Sequence, residues 1–247
     1  MNIVKTYPNV AVLSAAAAEL FAEKACQAVE KRGRCHVALA GGGTPRLMYE
    51  LLAKEPYCTT LPWDKIHVYW GDERCVPAHH NLSNQLMARQ SLLDHVPIPE
   101  GNIHPIVYEN SPSTAAEDYE KMLRATFEGQ IPQFDVVFLG LGDNGHTASL
   151  FPDTDVLKIQ DRWVSPVYVA EQDLYRVTLM APIINQATAI IFLVAGSTKA
   201  QVIKEVIEGP RDSTRLPAQL IQPGNGELYW LLDHEAAALL NLETRYL

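Results

Sequence analysis

Short apolar runs alternate along this chain with longer amphipathic segments. Leu13 to Lys31 is Ala-rich and predicts a helix, and His36 to Ala40 predicts a buried strand. Thr44 is predicted as the N-cap of a helix reaching about Ala53, with Pro45 at its first helical position. Ile66 to Trp70 is the next strand. Leu82 to His95 has a helical pattern that Pro97 and Pro99 stop. Ile103 to Val107 predicts a short strand, and Ser113 to Glu128 a helix ending at Gly129. Phe134 to Leu141 shows no polar alternation after Asp135, as expected of a central parallel strand. Tyr175 to Ala181 and Ala189 to Ala195 are further strands. Ser197 to Glu208 predicts a helix closed by Gly209-Pro210. Leu228 to Leu232 is a late strand, followed by an Ala/Leu-rich helix from His234.

This alternation predicts an α/β fold. We expect one Rossmann-like domain over residues 1–247, a mostly parallel sheet with helices on both faces. Pro210 to Pro223 is loop-rich but too short to divide domains, and no internal repeat is present. In such sheets ligands bind at the carboxyl ends of the strands. The strand-to-helix turns are therefore where chemistry is expected.

Composition narrows the partners. The 247 residues carry a formal net charge of −9, with 47% hydrophobic and 20% charged residues, which is ordinary globular composition. The acidic balance argues against a nucleic-acid surface. No apolar run approaches the ~18 residues of a membrane span. Met1 to Val12 lacks the pattern of a secretory signal, so we expect a cytoplasmic protein. Cys26, Cys35, Cys58 and Cys75 form no CxxC pair and are expected to be reduced thiols. His79-His80 has no cysteine or carboxylate at zinc-ligand spacing, so no metal site is predicted there. An anionic small substrate stays open, provided its cations are local. Oligomeric state has no signature in the sequence.

Four turns can carry chemistry. Ala40-Gly41-Gly42-Gly43-Thr44-Pro45 leaves a strand and opens a helix, which suits a phosphate or a sugar hydroxyl. No Gly-Lys-Ser/Thr follows, so it is not a Walker loop. Trp70-Gly71-Asp72-Glu73-Arg74 places two carboxylates and a guanidinium at a strand end. Arg74 can grip phosphate or carboxylate bidentately, with Asp72 or Glu73 holding it. Ser83-Asn84 starts the next helix and can cap it or touch the ligand, with Ser83 expected to cap. Gly140-Leu141-Gly142-Asp143-Asn144-Gly145-His146 matches GxGxxG, but Pro152 allows little helix after it. No strand ending in an acidic residue follows about 20 positions on, so we read the match as accidental. His146 is the better feature, because histidine is suited to general acid–base work near neutral pH. Gly196-Ser197-Thr198-Lys199 gives a helix start, two hydroxyls and an amine, a compact anion site. Arg176 is a further candidate cation. No GxSxG elbow surrounds Ser149.

Taken in order, these segments resemble the 6-phosphogluconolactonase family. The matching stretches are Leu39 to Pro45, Trp70 to Pro77 with Ser83-Asn84, and Leu139 to Pro152, of which the segment around His146 is the most specific. Arg176-Val177-Thr178-Leu179, Gly196 to Ala200 and Trp230 to Asp233 extend the resemblance over almost the whole chain. Two positions depart from the family pattern: Gly43 stands where Ser is usual, and Asn144 where Asp is usual. The resemblance implies hydrolysis of 6-phospho-D-glucono-1,5-lactone in the pentose phosphate pathway, with no metal or other cofactor. It implies His146 as the base that activates water, and Arg74 as an oxyanion or phosphate ligand. Gly42, Gly43, Thr44 and Lys199 would hold the phosphate, with Asp72, Asn144 and Arg176 also in the substrate site.

Three other readings are distinguishable. A glucosamine-6-phosphate deaminase, related in fold, has a proton-transferring Glu that aligns with Phe151 here, and Asp-Glu-Tyr where this chain has Asp72-Glu73-Arg74. A non-catalytic phosphosugar sensor draws on Asn144. A dehydrogenase draws only on the glycine match.

Overall fold

The computed structural model describes residues 2–241. A six-stranded sheet forms its centre, in the order β1-β9-β8-β5-β2-β3. These strands are β1 (Asn2–Tyr7), β2 (Cys35–Leu39), β3 (Ile66–Trp70), β5 (Val136–Leu139), β8 (Ala189–Val194) and β9 (Glu227–Asp233), and every pairing among them is parallel. β2, β5 and β8 are buried at every position, which is why they read as unbroken apolar runs. A second sheet, β4-β7-β6, is antiparallel and consists of β4 (Asp72–Arg74), β6 (Val164–Val169) and β7 (Leu174–Leu179). Two backbone bonds anchor it: Gly71 donates to the Leu39 carbonyl at 2.9 Å, and Leu179 donates to the Gly71 carbonyl at 2.8 Å.

Helices flank the sheets: α1 (Val10–Arg32), α2 (Gly43–Leu52), α3 (Tyr57–Thr60), α4 (Asn84–Ser91), α5 (Pro112–Thr126), α6 (Ala181–Ile184) and α7 (Ala200–Glu208). Asn9 caps α1 by accepting from the Ala11 and Val12 amides, and Gly33 ends it in the left-handed region. α1 lies across β1, β2, β5, β8 and β9, while α5 packs on β6 and β7. The buried apolar side chains form one continuous cluster through both sheets. No helix of the described residues is long and apolar enough to cross a membrane.

Several local expectations are corrected. α2 starts at Gly43, with Gly42 and not Thr44 in the cap position. Gly42 makes the turn early by adopting φ 107°, a region open to glycine, and Pro45 fits inside the first turn. The segment Leu82–His95 is helical only over α4 and a 3-10 turn at Leu93–His95, because Leu92 takes φ −146° between them. Ile103 makes a single bridge to Val68, and Pro105, lacking an N–H, carries no ladder further. Residues 234–240 are turns where a helix was predicted. There the Asp233 carboxylate accepts from Ala236 and also from Gly196, tying this turn to the end of β8. The rest of that predicted helix lies outside the described residues. The predicted strand Tyr175–Ala181 pairs antiparallel in the second sheet and stops at Leu179, with Ala181 already in α6, whereas β1, β4 and β6 were not foreseen.

The strand order sets where a ligand goes. β2 leads to β3 on one side, and β5 leads, by way of the second sheet, to β8 on the other. The chain thus reverses direction between β2 and β5, which are hydrogen-bonded neighbours. Their carboxyl ends open a crevice at that switch point.

Candidate active site

A cleft of about 300 Å³ lies in this crevice. All four predicted turns reach it. It is lined by Gly41–Pro45 after β2, by Gly71, Asp72 and Arg74 after β3, by Gly140–Gly142 and His146 after β5, and by Ala195 and Lys199 after β8. Arg176, from the middle of β7, and Asn84, from the start of α4, complete it. Of the predicted site residues, only Asn144 is not on this wall. It sits behind His146 and lines a neighbouring cleft.

The position behind the histidine defines its chemistry. Asn144 Oδ1 accepts from the His146 backbone N–H at 3.2 Å and lies 2.7 Å from His146 Nδ1. A backbone N–H only donates, so the atom facing it is the amide oxygen. Nδ1 must then carry the proton, which leaves Nε2 as the basic atom. Gly142 completes the support from the main chain, because a Cβ there would fall 2.0 Å from His146 Nδ1. The second glycine of the GxGxxG match thus serves the histidine. No helix follows Gly145, so the motif is not a dinucleotide turn.

Burial lowers the His146 pKa to about 4. Burial is the largest cause; the charges of Arg176 and Lys199 act in the same direction, while Asp72 and Asp143 oppose it. The imidazole is therefore neutral at pH 7 and able to accept a proton.

The cations are held by a buried network. Arg74 and Arg176 are register partners across β4 and β7, so two like charges face each other at the cleft. Arg176 is only 5% exposed. It pairs with Asp72 at 3.5 Å, bonds Ser149 Oγ at 3.3 Å and donates to Gln172. Ser149 is spent on this network, donating to Asp72 Oδ2 at 2.6 Å. Among the described residues, the buried Nε atoms of both arginines have no acceptor. An anion in the cleft would answer both features. Lys199, after β8, pairs with Asp143 at 2.6 Å. The amino end of α2 has no side-chain cap, so its first amides are free for an acceptor.

Glu73 does not hold Arg74. Its carboxylate accepts from the backbone amides of Arg74, Asn84 and Gln85 and from Ser83 Oγ, capping the start of α4. Arg74 is oriented by donating to the Leu82 carbonyl at 2.6 Å. Ser83 caps α4 as predicted, accepting from the Leu86 amide. Asn84 donates to the Asp72 carbonyl at 2.9 Å and faces the cleft. Gln172 escaped sequence reasoning, as did the roles of Gly142 and of Phe151, the stacking partner of His146. Gly142 had a signal, a glycine four positions before the histidine, and Phe151 had one in standing where the deaminase has its Glu.

Comparison with known proteins places the chain in a family. A sequence model of the family described as glucosamine-6-phosphate isomerases/6-phosphogluconolactonase matches residues 8–230. A Nostoc sp. protein named 6-phosphogluconolactonase is 43% identical over 244 residues, covering 97% of this chain and 98% of its own. One of the same name from Synechocystis sp. is 46% identical over 215 residues, covering 85% and 86%. Among solved structures, 6-phosphogluconolactonase from Trypanosoma brucei aligns with a TM-score of 0.86 at 30% identity, over 98% of this chain and 99% of that one.

Proposed function

This chain belongs to the glucosamine-6-phosphate isomerase/6-phosphogluconolactonase family, and from that premise we propose that it hydrolyses 6-phospho-D-glucono-1,5-lactone to 6-phosphogluconate. The observation that carries the reading is the His146–Asn144 pair: a neutral, tautomer-fixed imidazole on the wall of a cation-lined cleft. A lactone is an activated ester, so water and a placed base suffice.

In this mechanism His146 Nε2 takes a proton from water as its oxygen bonds to the lactone carbonyl carbon. General base catalysis of this kind is worth typically about 10²–10⁴-fold. The carbonyl oxygen becomes an oxyanion, which Arg74 stabilises. The carbon–ring-oxygen bond then breaks, and the imidazolium returns its proton to the departing ring oxygen. The carbonyl re-forms as a carboxylic acid that loses a proton to solvent. Asp72 offsets the passing charge on His146. The phosphate rests on the amides of Gly43 and Thr44 at the start of α2, with Gly42 allowing close approach, and Lys199 and Arg176 supply its countercharge.

The deaminase reading lacks its acid, because Phe151 lies flat against His146 and can transfer no proton. We place the activity in the cytoplasm, where the four free cysteines stay reduced. Each turnover releases one proton, so acid release from fresh lactone in weak buffer, above the spontaneous rate, tests the reading.

A further inference from the structure

The side chain of Phe151 has no polar atom, yet it is the nearest ring to the base. Its centroid lies 3.9 Å from that of His146 with the planes 18° apart, a close stack. Phe151 is 4% exposed. Its other contact with the site is Arg176, whose guanidinium carbon lies 5.2 Å from the phenyl centroid. Phe151 also borders the neighbouring cleft that Asn144 lines, so the side chains of both stand on the side of the imidazole away from the substrate wall.

Two constraints are needed to fix an imidazole, and each comes from a different residue. The Asn144 oxygen fixes which edge carries the proton and the direction of Nδ1–H. A single hydrogen bond leaves the ring able to tilt about that axis, and the histidine χ2 torsion is intrinsically broad. A flat ring stacked on its face removes the tilt. We infer that Phe151 is a positioning residue for the hydrolytic step, holding the His146 imidazole in the one plane that aims Nε2 at the attacking water. The inference rests on the lactonase reading and deepens it. A tilt that moves Nε2 by about 1 Å is a misplacement of the size that costs about 10²-fold in rate.

The charged groups acting on His146 are Arg176, Asp72, Lys199 and Asp143; of these Arg176 also touches the phenyl ring, so Phe151→Tyr, which keeps a ring under the guanidinium, controls for its displacement. The ring contributes to the burial that keeps the imidazole weakly basic. Its removal therefore moves the acid limb of the rate profile upward as well as lowering the rate.

The test compares Phe151→Leu and Phe151→Tyr with the wild type on fresh 6-phosphogluconolactone, reading kcat, KM and the pH profile. The leucine variant is expected to lose about tenfold or more in kcat, part of the ~10²-fold that misplacement costs, with KM little changed and the acid limb raised. The tyrosine variant keeps a flat ring and is expected to recover most of kcat. A leucine variant with wild-type kcat and an unmoved acid limb overturns the inference, as does a folded tyrosine variant as impaired as the leucine one. If the leucine variant does not fold, Phe151→Met, which fills the space with a flexible chain, is read the same way. Wild-type turnover and its loss in His146→Ala report separately on the lactonase reading.

Discussion

Asn144 Oδ1 lies 2.7 Å from Nδ1 of His146 and also receives the backbone N–H of the same residue. One neutral oxygen thus fixes the tautomer of the base without adding charge. Asn144→Ala removes that control and is expected to lower kcat by about tenfold or more, within the ~10²–10⁴-fold worth of a placed general base. Asn144→Asp keeps the acceptor and adds a negative charge, which favours imidazolium. The acid limb of kcat/KM is then expected to move up from near pH 4. A pH profile of the three proteins, corrected for spontaneous hydrolysis, reads both effects; an acid limb unmoved in Asn144→Asp would contradict this account of the pair.

Substrate charge should tune the base. Arg176 and Lys199 both depress the His146 pKa in the free protein. A bound phosphate offsets their charge, so the pKa rises on binding. The acid limb of kcat, which reports the complex, is expected at higher pH than that of kcat/KM, which reports the free protein. The unphosphorylated lactone should show no such separation. Steady-state profiles for the two lactones decide the point, and coincident limbs with the phosphorylated substrate would count against the role given to these cations.

The facing arginines predict an anion effect on stability. Arg74 and Arg176 oppose each other in register, an arrangement that is unfavourable until an anion fills the space. Inorganic phosphate is expected to raise Tm, since a ligand at about 100 times its Kd adds about 2.7 kcal/mol to the stability of the folded state. In Arg74→Gln the increment should shrink, while Tm without phosphate holds or rises. Thermal melts across a phosphate series measure this. An undiminished increment in the variant would remove Arg74 from the anion site.

At the far end of the sheet, three histidines predict acid sensitivity. His36 and His67 are register partners on β2 and β3, and His67 Nδ1 lies 3.2 Å from His104 Nε2. His36 is held by Tyr69 at 3.1 Å. Burial, with the neighbouring histidines and Arg34, lowers the His36 pKa to about 3; burial and His67 lower that of His104 to about 4. His67 is lowered too, by burial and then by Arg34. The unfolded chain takes up these protons below about pH 6.5, whereas the folded protein does not. Stability is therefore whole above that pH and falls as pH drops toward 4. His104→Gln should flatten this decline in urea melts between pH 7 and 4.5; an unchanged slope would exclude a contribution from His104.

Much of the site was legible because it lies on turns, where glycine, proline and charge have local meaning. The runs that became β2, β5 and β8 gave the parallel sheet, and the turns after them gave Gly42, His146 and Lys199. What the sequence concealed depends on pairing between distant strands. β4 is three charged residues, and only its register with β7 makes Asp72–Arg74 a strand. β6 holds Pro166, tolerable because β6 is an edge strand of the smaller sheet. The division of labour between Asp72, which meets Arg176, and Glu73, which caps α4, follows from alternation along β4 and could not be read from the string Asp-Glu-Arg. Phe151 was legible only as a residue unable to transfer a proton; its stacking on His146 depends on how the turn after β5 folds back.

The central claim is that this cleft hydrolyses a phosphosugar lactone with His146 as base. The most direct measurement is the disappearance of freshly made 6-phosphogluconolactone, at mildly acidic pH to slow the spontaneous reaction, with wild type and with His146→Ala. The account predicts acceleration by the wild type and a kcat lower by about 10²-fold or more in the variant, in line with the worth of a general base, while phosphosugar binding persists. Wild-type acceleration that survives intact in His146→Ala, or phosphosugar binding with no acceleration at all, would contradict it.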